Sequence, residues 1–128
     1  MNNSKSALNE SITHFYKVFS AYTTQGFYYC DCGCTDETDV RELLGTPLRA
    51  LSADVLLRYN GDALYTQGGL NHYKHFLPRL LELEGLTELE QAKHWSDVFA
   101  LEQKLAAAEW TTWPKPERAA VHDFWVAK

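Results

Sequence analysis

Cysteine is scarce in this sequence of 128 residues, and its three copies, Cys30, Cys32 and Cys34, all lie in the segment FYYCDCGCTDETD. An odd number of cysteines, in a chain that starts without the apolar stretch of a secretory signal, argues against a disulfide framework. No window approaches the roughly eighteen apolar residues that a membrane span needs. We therefore expect a cytoplasmic protein that does not enter a membrane.

Positive charge is also in short supply. Twelve Lys and Arg residues stand against seventeen Asp and Glu residues, which gives a net charge of −5. Such a balance disfavours binding to nucleic acid or to an anionic membrane surface. The acidity is concentrated in residues 30–42, where only Arg41 opposes five carboxylates. Those five are Asp31, Asp36, Glu37, Asp39 and Glu42.

Recognisable catalytic motifs are absent as well. The sequence shows no nucleophile beside a general base, no paired carboxylates in a pocket-like context and no glycine-rich phosphate loop. The stretch QGGLN lacks the spacing of a phosphate-binding loop and is typical of a turn between helices. We expect a protein that is not an enzyme.

Apolar residues recur at helical spacing through most of the chain. The pattern predicts helices over about 5–22, 38–44, 53–60, 71–84, 87–109 and 115–128, with a further helical turn near 62–65. Pro78 lies inside the central helix, so a kink or break is expected over residues 74–77. The two tryptophans of EWTTWP, Trp110 and Trp113, are expected in the core more than at a partner's surface.

These elements predict an all-α fold with about five to seven helices in antiparallel hairpins, packed as an orthogonal or solenoid-like bundle. No linker divides the chain, so residues 1–128 are expected to form a single domain. The last helix runs to Lys128 directly after Phe-Trp-Val and has no cap. Further C-terminal helices in a longer protein are therefore an open alternative.

The three cysteines allow a metal site, a redox centre or plain reduced thiols. Zn²⁺ prefers four Cys or His ligands, and C-x-C-x-C supplies only three. The neighbouring carboxylates raise thiol pKa values, which disfavours redox chemistry, but they favour a cation. Reduced thiols are the preferred interpretation and a zinc site the second. The fourth donor of such a site would be Asp31, Asp36, His14, His72, His75, His94 or His122.

Two other groupings are weaker signals. His72 and His75 lie one helical turn apart and could face one ion, although an ordinary polar helix face is the preferred interpretation. Four glutamates near Gly85 form a possible second negative patch, and such runs are usually solvated faces. These are Glu82, Glu84, Glu88 and Glu90.

The segment HFLPRLLEL, residues 75–83, resembles a segment found in a group of uncharacterised bacterial helical proteins. The cysteine segment and WTTWP-x₂-ER also look similar to that group, so the resemblance covers about residues 27–125. It implies a bacterial, all-helical protein and carries no activity with it.

The leading hypothesis is therefore a non-enzymatic protein-interaction domain, of the immunity or inhibitor type, that binds a basic partner protein through Asp31, Asp36, Glu37, Asp39 and Glu42. It needs no cofactor. The alternative is a structural or regulatory zinc protein that uses Cys30, Cys32 and Cys34. The oligomeric state is left open by the sequence.

Overall fold

The computed structural model describes residues 3–29, 37–62, 68–85 and 101–127. Within these ranges the chain forms six α-helices, two short 3₁₀ turns and no β-strand, so the predicted all-α fold is confirmed. The helices are α1 (Asn3–Val18), α2 (Glu37–Gly45), α3 (Ala53–Asp62), α4 (Leu70–Gly85), α5 (Leu101–Ala107) and α6 (Lys115–Ala127). The 3₁₀ turns are Leu48–Ala50 and Trp110–Thr112. None of the described helices is long and apolar enough to cross a membrane.

Helix α4 lies at the centre of the core. Its large apolar side chains are almost completely buried, and it packs against both α1 and α3. Pro78 is buried inside it, and α4 is one helix from Leu70 to Gly85, so of the kink or break expected over residues 74–77 the break is wrong. A proline removes only one backbone hydrogen bond, and burial on several sides compensates for that loss. The fully buried apolar residues of α4 are Tyr73, Phe76, Leu77, Leu80 and Leu81.

The first and the last helices pack against each other. The contact between α1 and α6 is the most extensive pairing of described elements. Phe15 and Phe19 of the α1 region stack with ring centroids 4.3 Å apart, and Trp113 meets Phe19 edge-on at 6.0 Å. An open solenoid keeps its terminal repeats apart, so this pairing favours the bundle.

Helix α1 ends at Val18, four residues before the predicted end. The backbone then forms turns, in which Ser20 N–H donates to Lys17 O and Tyr22 N–H donates to Phe19 O. The segment after these turns returns to the start of α4, where Gly68 N–H donates to Tyr28 O at 2.7 Å. Gly68 has φ +67°, and an added Cβ would lie 2.9 Å from Phe27 Cε2. A glycine is required there by both the backbone conformation and the close approach.

Candidate functional site

The acidic segment that the sequence singles out is described only in part. Cys30, Cys32, Cys34, Asp31 and Asp36 lie outside the described residues. The predictions that rest on those five residues, including the zinc site, stay predictions. Glu37, Asp39 and Glu42 belong to α2, a nine-residue helix at the surface that buries only Val40 and Leu43.

Two of the three described carboxylates have arginine partners, one at i,i+4 spacing on α2 and one on α3 that no local spacing indicates. Arg41 Nη2 lies 3.3 Å from Glu37 Oε1 on the same helix, with both side chains largely exposed. Arg58 Nε of α3 lies 3.1 Å from Asp39 Oδ2, and this pair is more buried and links α2 to α3. Asp39 therefore positions α2 on α3, while Glu37 takes part in an exposed pair that contributes at most about 1 kcal/mol.

Glu42 is the carboxylate of α2 that is open to a partner. Its side chain is exposed, and it forms no ion pair within the described part of the chain. Leu44, two residues later, is 42% exposed and lies on another side of α2 from Glu42, since residues two apart on a helix do not face each other. Acidic residues in the first turn of α2 also stabilise the helix itself through its dipole, so Glu37 and Asp39 have a structural role in addition.

The two histidines of α4 fasten a loop to the helix. His72 Nδ1 accepts a hydrogen bond from Gly69 N–H at 3.0 Å, so Nε2 carries the proton and donates to Gln25 O at 2.8 Å. His75 Nδ1 donates to Tyr22 O at 3.0 Å. Both ring nitrogens of His72 are occupied, so His72 is not available as the fourth ligand of a metal site. No group of three His, Cys, Asp or Glu residues that could hold a metal occurs among the described residues.

The two described glutamates near Gly85, Glu82 and Glu84, do not form the solvated face that the sequence favoured. Glu82 Oε1 accepts from Tyr16 OH at 2.7 Å and from Arg79 Nη1 at 2.8 Å, and Glu84 is buried. Arg79 Nε also donates to Leu51 O at 3.0 Å. Glu82 thus ties α4 to α1, and Arg79 ties α4 to the turn before α3. Glu88 and Glu90 lie outside the described residues.

The tryptophan pair divides between core and surface. Trp113 is 4% exposed, and its Nε1–H donates to Ala108 O at 3.1 Å, so the prediction of a core position is confirmed for this residue. Trp110 is half-buried and begins the 3₁₀ turn that precedes α6.

A buried polar cluster on α4 and α6 was missed at the sequence level. Lys74 Nζ lies 2.7 Å from Glu117 Oε1, and the two residues are 5% and 7% exposed. Tyr22 OH donates to Glu117 Oε2, and Lys74 Nζ donates to Tyr22 OH at 3.3 Å. The ammonium also lies 4.6 Å from the ring centroid of Trp113. Burial, followed by the hydrogen bond to Glu117, raises the pKa of Tyr22.

This cluster joins α4, α6 and the turns after α1, and its side chains do not together line a cleft. Of its members only Tyr22 lines the nearby cleft of about 480 Å³, beside Thr23, Gln25 and Asn71. The lysine and the carboxylate neutralise each other within a shell of aromatic side chains. The arrangement is that of a structural ion pair that joins α4 to α6.

No family model, curated protein or solved structure matches this chain. The resemblance of HFLPRLLEL to uncharacterised bacterial helical proteins therefore stays a prediction.

Proposed function

We propose that this chain is a non-enzymatic protein-interaction domain that binds a basic partner protein through the acidic surface of residues 31–42. The observation that carries the proposal is Glu42, an exposed carboxylate without an ion pair in the described part of the chain, on a surface helix that also exposes Leu44.

The charge distribution supports this function. Nearly all of the net charge of −5 comes from residues 30–42. Concentrated charge of one sign accelerates association with an oppositely charged protein and suppresses association with acidic ones. The exposed Arg41–Glu37 pair is weak, so a cationic partner can replace Arg41 beside Glu37 at little cost.

An inhibitor or immunity protein that covers a basic site on another protein would need these properties: small size, one acidic surface and no chemistry of its own. The main polar cluster, formed by Lys74, Glu117 and Tyr22, supports the same interpretation because it is occupied in holding the fold together.

The test is capture of partners by variants that differ only in where charge is lost. The acidic-surface variant carries Asp36→Asn, Glu37→Gln and Glu42→Gln. The matched control removes the same charge from three other exposed glutamates, Glu10, Glu102 and Glu109, each replaced by glutamine. Immobilised wild-type chain and each variant are incubated with extract of the source cells, and bound proteins are quantified by mass spectrometry.

We expect a basic protein that is retained by the wild-type chain and by the control, and that is lost at least about tenfold from the acidic-surface variant. Retention by all three proteins, or loss from the control and the variant alike, contradicts the proposal.

The alternative function is a zinc protein that uses Cys30, Cys32 and Cys34, which are the only cysteines of the chain. It predicts about one Zn²⁺ per chain after purification under reducing conditions, and a fall in stability with a chelator. Elemental analysis separates the two proposals, since the interaction domain requires no metal.

A further inference from the structure

A pocket of about 370 Å³ lies between the 3₁₀ turn of Trp110 and the outward side of α6. Its lining combines the apolar side chains of Trp110 and Ala119 with polar side chains, which are those of Thr111, Lys115, Arg118, His122 and Asp123. The volume falls within the range of about 300–1,000 Å³ that is usual for small-ligand sites. None of these lining residues belongs to α2.

Arg118 is held in place beside the pocket. Its Nε–H donates to Trp113 O at 2.9 Å, which fixes the plane of the guanidinium group. Its two terminal nitrogens have no hydrogen-bond or ion-pair partner within the described part of the chain. A guanidinium group whose Nε is already bound can present its terminal N–H groups to an oxyanion with little further loss of side-chain freedom.

The pocket is cationic in a protein that is acidic overall. Lys115 and Arg118 supply two fixed positive charges, and Asp123 supplies one negative charge. Asp123 Oδ1 lies 3.6 Å from His122 Nδ1, so its carboxylate is directed at least partly toward its neighbour on α6. The half-buried ring of Trp110 provides a flat apolar surface on which a planar group can stack.

We propose that this pocket binds a small ligand that joins a planar ring to an oxyanion, with the ring against Trp110 and the oxyanion on Arg118 and Lys115. The oxyanion is a carboxylate or a phosphate, since both match the guanidinium group. The ring and the charge are both required, because each alone uses only half of the pocket.

The experiment follows the indole N–H signals of the ¹⁵N-labelled protein by NMR during titration with small probes. Trp110→Phe identifies the signal of Trp110. Phenyl phosphate and benzoate carry both groups, and the tighter of the two identifies the oxyanion. Inorganic phosphate lacks the ring, and benzyl alcohol lacks the charge. We expect at least one of the first two to shift the Trp110 signal saturably, and the last two to bind at least about tenfold more weakly.

Variants test the assignment in opposite directions. Arg118→Gln should weaken binding about tenfold and Lys115→Gln about threefold, whereas Asp123→Asn should strengthen it about twofold. Arg49→Gln is the matched control, because the guanidinium group of Arg49 also lies over an aromatic ring, 3.7 Å from the centroid of Tyr16, but away from the pocket. Circular dichroism checks that each variant is folded.

An unmoved Trp110 signal with both ring-bearing anions overturns the proposal. So does unchanged affinity in both Arg118→Gln and Lys115→Gln, or equal loss in Arg49→Gln. The proposed interaction function is independent of these outcomes, since it rests on α2.

Discussion

Replacing Lys74 by methionine is expected to destabilise the protein by about 3–5 kcal/mol, although methionine fills nearly the same volume. The change leaves the carboxylate of Glu117, only 7% exposed, without the ammonium group 2.7 Å away. Tyr22 OH is then its remaining hydrogen-bond donor among the described residues. The contact of the ammonium with the ring of Trp113 is lost as well, which costs about 0.5–2 kcal/mol within that total.

The double variant Lys74→Met, Glu117→Leu should be much less affected. Removing both charges leaves no buried ion, and replacement of a buried ion pair by apolar side chains is often neutral or stabilising. Tyr22 is half-buried, so its hydroxyl can bond to water. We expect the double variant to lie within about 1.5 kcal/mol of the wild-type stability, which makes it at least about 1.5 kcal/mol more stable than Lys74→Met.

Urea unfolding with linear extrapolation measures these differences. With a slope of about 1–3 kcal/mol per molar urea, the midpoint of Lys74→Met should fall by at least about 1 M. Arg41→Met is the matched control, since it breaks the exposed pair with Glu37 and should cost less than about 1 kcal/mol. A cost below about 1 kcal/mol for Lys74→Met, or a double variant as unstable as the single one, would refute the assignment of a structural ion pair.

Two further predictions concern the glycine turn and the buried tyrosines. Gly68→Ala should lower the free energy of unfolding by about 1–3 kcal/mol in thermal unfolding, because of the positive φ and the clash with Phe27. Gly45→Ala is the control, since an added Cβ there has nothing within 4 Å, and it should cost less than about 0.5 kcal/mol. Equal effects of the two substitutions would contradict this prediction. Burial raises the pKa of three tyrosines well above the ordinary value of about 10. They are Tyr16, Tyr59 and Tyr73. The stabilisation that they contribute is complete below pH 10 and is lost as pH rises toward the folded-state pKa, by about 1.4 kcal/mol each and about 4 kcal/mol in total at pH 11. Tyr59→Phe should remove about a third of that fall in urea titrations at pH 9 and 11, and a free energy of unfolding that is the same at both pH values would be inconsistent with it.

The helical pattern of apolar residues was sufficient to predict the fold class and the central position of α4. The pattern predicted too long a helix α1, because the end of that helix depends on tertiary hydrogen bonds such as the one from His75 to Tyr22 O. It also predicted a kink or break near Pro78, and α4 has no break there. Periodicity reports which face of a helix is buried but not what the rest of the protein places against that face.

The candidate sites were less predictable for the same reason. Lys74 and Glu117 occur in no motif, and they lie far apart in the sequence, so nothing local indicated their contact. The spacing of His72 and His75 favoured an ordinary polar helix face, whereas both rings bond to the backbone of the loop after α1, and His72 also accepts from the amide of Gly69. Charge counting located the acidic segment, whereas the pairing of Asp39 with Arg58 required the structure.

The central claim is that the acidic surface of residues 31–42 drives association with a basic protein. It is tested most directly by the association rate constant of the captured partner, measured by surface plasmon resonance as a function of salt. We expect the rate constant to fall at least about tenfold between 50 and 500 mM salt, because salt screens exposed charges. The Asp36→Asn, Glu37→Gln, Glu42→Gln variant should lose most of this dependence. A rate constant that does not change with salt, or a variant with the wild-type dependence, would contradict the claim.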